Sequence, residues 1–306
     1  MNFKIRQSLI LLLAATIWGV AFVAQSEGMK NVGPLTFNGI RSILGGLVLI
    51  PVIAFISGKD KECKKEHRSI KHLVIGGVCC GIALCAASTL QQIAIQDTDV
   101  GKAGFITAMY IVIVPVISLV LRKKSPLWVY LSVLIAFCGF FVMCMDFSVK
   151  IKGFLPVITG DFSLGKSEVL LIISAFIFSL HILIIDYFSP KADGVKLSCI
   201  QFFVCGIINC IMMFIFENPH INNIWQAKIP ILYAGILSCG VAYTLQIVGQ
   251  KGINPTIASL ILSLESVVSI IAGWLLLNEH LTGRELIGCI VIFAAIILAQ
   301  IPSKKS

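Results

Sequence analysis

Few side chains in this sequence can do chemistry, and most of those sit where charge is costly. Glu265 lies about nine residues into the apolar stretch 256–277, and Arg41 about seven residues into 34–57. An ionisable group in hydrocarbon costs about 3 kcal/mol or more, so one that is kept marks a functional position. Glu265 can take a substrate amine or a coupling proton; the structural alternatives are a charge partner for Arg41 or a hydrogen bond to a neighbouring helix. Arg41 offers a planar fork suited to a substrate carboxylate. Its alternatives are pairing with Glu265 or snorkelling to the membrane surface. His181, in the middle of 168–188, suits a proton carrier, with hydrogen-bonded packing as the other role. Trp18, Tyr110 and Tyr243 are aromatic residues able to line a cavity, together with Thr107, Asn209, Ser263 and Trp274. Gln91 and Gln246 can hydrogen-bond a substrate, shape a gate or join helices. The expected substrate-binding set is Glu265, Arg41, Trp18, Tyr110, His181, Tyr243, Gln246 and Gln91.

Other chemistries lack their residues. No phosphate-binding glycine loop appears, which argues against ATP drive within the chain, and no serine-histidine-acid or zinc-protease signature appears. The 11 cysteines include no Cys-x-x-Cys pair and mostly lie inside apolar runs, where they read as small packing residues; Cys63, in a charged loop, is the exception. His67, His72, His220 and His280 fall in loops or at the edges of apolar runs. No cofactor, no metal and no enzyme activity are expected.

The elements that must position these groups follow from composition. Hydrophobic residues make up 58% of the 306 and charged residues 13%, with a mean hydropathy of +0.96. Soluble domains carry roughly 25% charged residues, so this chain cannot cover soluble domains with polar surface. The net charge of +9 sits in short loops between long apolar runs, which argues against nucleic-acid binding. A spanning helix needs about 20 apolar residues. Ten such segments are expected, at 8–26, 34–57, 72–93, 100–121, 127–145, 168–188, 196–216, 229–249, 256–277 and 284–301. Their apolar runs are continuous rather than alternating, which excludes a β-barrel. Pro34, Pro126 and Pro255 fall at helix starts, whereas Pro51 and Pro115 fall inside spans and should kink them. Lys4 and Arg6 followed by an apolar run imitate a signal peptide, with Ala24-Gln25-Ser26 as its cleavage site. The run is longer than a signal core, so it reads as a retained first span. With the N-terminus inside, about 16 of the 24 Lys and Arg face the cytoplasm, six of them between Lys59 and Lys71. Both termini are therefore expected in the cytoplasm and the protein in the cell membrane.

The chain also repeats itself. An offset of 160 carries Ala15 to Ala175, Trp18 to Phe178, Ile40-Arg41 to Ile200-Gln201 and Gly46 to Gly206. An offset of 155 carries Thr89-Leu90-Gln91 to Thr244-Leu245-Gln246 and Ala103 to Ala258. Five spans per repeat put the second repeat upside down in the membrane, a recurrent architecture of secondary transporters. The expected organisation is a first repeat over 1–145, an extracytoplasmic linker over 146–167 and a second repeat over 168–306. Gln91 and Gln246 then fall near opposite faces, where they would shape two equivalent gates.

Several motifs resemble those of the EamA domain of the drug/metabolite transporter superfamily. Leu13-Ala14-Ala15-Thr16-Ile17-Trp18-Gly19 is similar to its first-helix signature, and Pro34, Phe37 and Arg41 to its second. Gly165-Lys166-Ser167-Glu168 resembles the start of the second unit, and Ser263-Leu264-Glu265-Ser266-Val267 and Leu275-Leu276-Leu277-Asn278-Glu279 its later signatures. Ser266 stands where that family often has proline, and Arg122-Lys123-Lys124 where it often has glutamate. The resemblance covers nearly the whole chain as two tandem units. It implies an all-α integral membrane fold of ten transmembrane helices in two inverted five-helix repeats, moving small metabolites, amino acids included. Export of an amino acid or similar compound by alternating access is the expected function; a lipid-linked or sugar-linked metabolite carrier, a channel and an accessory membrane protein stay as alternatives. The expected partners are a small-molecule substrate and the lipid bilayer, with no nucleic acid; assembly as a homodimer stays open.

Overall fold

The computed structural model describes residues 3–59, 70–121, 126–144, 148–152, 155–159, 165–278 and 283–299. The helices are α1 (Phe3–Met29), α2 (Pro34–Lys59), α3 (Ile70–Ile95), α4 (Val100–Val120), α5 (Leu127–Cys144), α6 (Lys166–Phe188), α7 (Gly194–Phe216), α8 (Lys228–Gln250), α9 (Pro255–Leu277) and α10 (Gly283–Ala299), with a short helix Ile221–Gln226 before α8. Apolar runs with no water to pair their backbone must satisfy it internally, which a helix does. Among the described residues, eight of these helices are long and apolar enough to cross a membrane. The apolar stretches of α5 and α10 are shorter, so two of the ten expected spans fall below that length. The remaining difference is in the linker, where Ser148–Lys152 pairs antiparallel with Leu155–Thr159. This strand pair departs from the all-α expectation. Its β-branched Val149, Ile151, Val157 and Ile158 suit strands, and the stretch is too short to span. Residues 60–69 and the basic residues Arg122, Lys123, Lys124, Lys304 and Lys305 of the expected inner loops, together with Glu279 and His280, lie outside the described residues.

Helix starts are set locally. Pro255 opens α9 and the Asn254 side chain accepts from Thr256 N, while Asp193 accepts from Val195 N and Lys196 N at the start of α7. Asn278, at φ 56°, ends α9 in the left-handed region. Pro51 lies inside a helix that continues to Lys59.

The two repeats are inverted and interleaved. Helices α2 and α7 are repeat-equivalent, and they pack antiparallel: Gly39 lies against Cys210, Gly46 against Phe203 and Gly206 against Ile43. The last two contacts exchange under the 160-residue offset, which is the mark of a two-fold relation between the repeats. Helix α3 packs on α6 and α7, α1 on α8 and α9, α4 on α6 and α9, and α5 on α10. Helices of the same repeat touch one another far less. The repeats are therefore units of sequence, not two bodies packed side by side. The Gly77-x-x-x-Gly81 motif serves this interleaving. A Cβ at Gly81 would fall 2.8 Å from the Gln201 carbonyl oxygen, so the α3–α7 crossing requires glycine there.

Glu217, just past α7, joins the repeats at one end. Its carboxylate accepts from Leu35 N and Thr36 N, both at 2.8 Å, and from Thr36 Oγ1 at 2.6 Å. These are free donors of the first turn of α2, met by an anion as the helix dipole favours. Glu217→Ala is expected to cost about 1–2 kcal/mol by the loss of this cap. A lowered melting temperature of the detergent-solubilised protein would register it, with Glu217→Gln recovering part of the loss.

Candidate functional site

A cavity of about 40 Å³ lies among α1, α2, α3, α4, α6, α8 and α9. Trp18, Phe22 and Gln25 reach it from α1, and Arg41 from α2. Gln91 comes from α3, Thr107 and Tyr110 from α4, and Phe178, His181 and Ile182 from α6. Ser238, Tyr243 and Gln246 come from α8, and Leu262 and Glu265 from α9. All eight side chains of the expected set border this one space. Three others named with them do not. Asn209 accepts from Thr89 Oγ1 and donates to the Cys205 carbonyl, Ser263 bonds back to Leu260 O, and Trp274 is exposed.

The cavity sits on the axis that relates the repeats. At offset 160, Trp18 pairs with Phe178 and Phe22 with Ile182; at 155, Gln91 pairs with Gln246, Thr107 with Leu262 and Tyr110 with Glu265. Tyr110 and Glu265 also touch, Tyr110 Oη donating to Glu265 Oε1 at 2.8 Å. A bond between two equivalent residues must lie on or near the axis. Phe22, Ile182 and Leu262 were not singled out in the sequence, although extending the repeat register would have nominated each.

Both residues of that bond follow a tightened turn. In α4 the α-helical ladder stops at Thr107 and resumes at Tyr110, and Met109 N and Ile111 N bond three residues back. In α9 it stops at Leu262 and resumes at Leu264, with Ser266 N bonded to Ser263 O. Such mid-helix 3₁₀ turns accompany hinges and strained functional segments. Buried Ser259, Ser263 and Ser269 bond to carbonyls three residues back within α9, which bends helices, while Ser266 Oγ donates to Gly104 O across to α4. Pro115 lies inside the second segment of α4, so the ladder tightens upstream of the expected kink. In α8 the turns over Tyr233–Ala242 are π-helical and lead into Tyr243, a feature with no sequence signal and a frequent companion of functional sites.

Arg41 and Glu265 are each about one-twentieth exposed, and they do not pair. Arg41 Nη1 donates to Gln25 Oε1 at 2.8 Å, and its guanidinium carbon lies 5.4 Å from the centre of the Phe37 ring. Its Nε is buried with no partner, and no carboxylate is paired with it among the described residues. Gln25 went unrecognised as a site residue because a lone glutamine near a helix end carries no distinguishing pattern. On the other side of the axis, His181 Nε2 bonds Gln201 Oε1 at 3.1 Å, so the repeat equivalent of Arg41 carries a histidine instead. Between them stands an aromatic group. Tyr243 packs 4.5 Å from Trp18, 5.4 Å from Phe202 and 6.1 Å from His181, centre to centre. The site thus combines an unbalanced cation, an uncharged or singly charged acid on the axis, and aromatic walls. That arrangement can hold a small molecule carrying an anionic group and apolar surface.

The chain matches the EamA-like transporter family over residues 6–145 and 165–300. It is 25% identical over 284 residues to the uncharacterized transporter YoaV of Bacillus subtilis, covering 92% of each chain. It is 27% identical over 293 residues to an uncharacterized transporter of Archaeoglobus fulgidus, covering 95% of this chain and 84% of the other. A protein of known crystal structure shares the fold with a TM-score of 0.71 at 16% identity, over 96% of both chains.

Proposed function

The chain belongs to the EamA-like transporter family of the drug/metabolite transporter superfamily, and from that premise we propose that it exports an amino acid or similar small metabolite by alternating access. It is a multi-pass membrane protein; in this reading α5 and α10 complete ten spans, both termini are cytoplasmic and the membrane is the cell membrane. The observation that carries the reading is the cavity on the repeat axis, where Arg41 has no carboxylate partner among the described residues and Glu265 is tied to its own repeat equivalent. Inverted repeats can exchange conformations, so a site on their axis opens to either side in turn. Arg41 binds the substrate carboxylate, Glu265 carries the coupling proton, and Trp18, Phe22, Phe178 and Tyr243 enclose the side chain. The interleaved packing means that the motion redistributes contacts between the repeats rather than swinging one half against the other.

The test is counterflow in proteoliposomes across a panel of amino acids. Saturable uptake of labelled substrate against the same unlabelled compound inside is expected. Fast flux without counterflow would assign a channel, and no flux for the protein alone would assign an accessory subunit.

A further inference from the structure

The cavity's unpartnered polar atoms divide by chemistry. Arg41 Nε and Trp18 Nε1 are donors without acceptors among the described residues. Gln246 Oε1 is an acceptor without a donor, and Gln246 is 2% exposed. His181, fully buried, adds a second acceptor. Its Nε2 faces the Gln201 oxygen and must carry the hydrogen of that bond, so a neutral ring presents Nδ1 as a bare acceptor. His181 and Gln246 both line the cavity, and Tyr243, one helical turn before Gln246, packs 6.1 Å from the His181 ring.

The repeat explains why Gln246 lacks a partner. Its equivalent, Gln91, donates to Thr107 Oγ1 at 3.1 Å. The equivalent of Thr107 is Leu262, which has no hydroxyl. The second repeat has thus replaced an internal partner with an apolar side chain at the cavity wall. Buried polar groups are rarely left unmatched, and one that lines a cavity is matched by what enters it.

Resting on the amino-acid reading above, we propose that His181 Nδ1 and Gln246 Oε1 form the subsite for the substrate's ammonium group, apart from Glu265. The substrate lies across the axis with its carboxylate toward Arg41 and its ammonium toward this acceptor pair. Glu265 stays with Tyr110, apart from the substrate, and carries its proton on the return step after the substrate has left.

Binding to the purified protein tests this, using the twenty standard amino acids and their deaminated carboxylic acids, for example leucine against 4-methylpentanoate. In the wild type, an amino acid should bind more tightly than its deaminated form. His181→Phe and Gln246→Leu should each weaken the amino acid about tenfold or more and leave the deaminated acid unchanged, the loss expected for a hydrogen bond to a charged group. Leu262→Thr supplies a hydroxyl where Thr107 stands in the other repeat. It disturbs no existing bond, and by occupying Gln246 it should weaken the amino acid alone. Equal losses for both ligand types, or none for either, would overturn the ammonium subsite and leave amino-acid transport standing. A wild type that binds no amino acid would overturn that reading and the subsite with it.

Discussion

Replacing Glu265 with glutamine should abolish accumulation driven by a pH gradient while leaving counterflow within about threefold of wild type. The glutamine oxygen can still accept from Tyr110 Oη, so the 2.8 Å bond on the axis and the shape of the cavity survive. What is lost is the proton site. An ionisable acid within a membrane bundle is the usual relay in proton-coupled transport, and no other carboxylate borders this cavity among the described residues. The sign is set by exchange: protons moving inward drive substrate outward, so an acidic exterior should speed efflux from loaded vesicles. Counterflow moves substrate both ways with no net proton transfer and does not need the titration. Tyr110→Phe is the complementary variant, since it removes the hydroxyl and keeps the acid, and gradient coupling should persist. Measured efflux at matched and opposed pH decides the matter. A Glu265→Gln protein that still responds to the gradient as wild type does would remove Glu265 from the coupling.

How far the sequence reached is clearest at these same residues. The spans were legible because an apolar run long enough to cross a bilayer has few other uses, and the repeat was legible where identical residues recur. Tyr110 and Glu265 share no identity, so their equivalence appears only when the register is carried past the matching residues and the contact is seen. Arg41 and Glu265 could be placed by depth, about seven and nine residues into their helices. Depth says nothing of which way a side chain faces around its helix, and the partner of Arg41 proved to be Gln25 on α1. Pro115 advertised a kink, but the tightened turns beside Tyr110 and Glu265 follow positions with no proline, and in α9 a line of serines bonds backbone carbonyls three residues back, a pattern that accompanies bent helices. The interleaving of the repeats was also hidden, because adjacency in sequence does not report which helices pack when the apolar surface is continuous on every side.

Arg41 carries the second large expectation. Among the described residues, this buried guanidinium is held by an amide oxygen and the face of a phenylalanine and is short of one negative charge. Gln25 fixes one end of the fork, and Nε is buried without a partner among the described residues. A substrate carboxylate would bind that edge by charge-assisted, two-point hydrogen bonding, worth about 3 kcal/mol in this setting. Arg41→Leu should therefore weaken an amino acid about 100-fold in competition for counterflow. Arg41→Lys restores the charge without the planar fork and should recover at most about tenfold of that loss. The amide of the same amino acid, which lacks the carboxylate, should compete almost equally with wild type and both variants. That contrast separates recognition from support of the fold, because a collapsed cavity would reject the acid and the amide alike. If both lose together, Arg41 serves packing between α1 and α2, and the missing counter-charge belongs to the architecture rather than to the substrate.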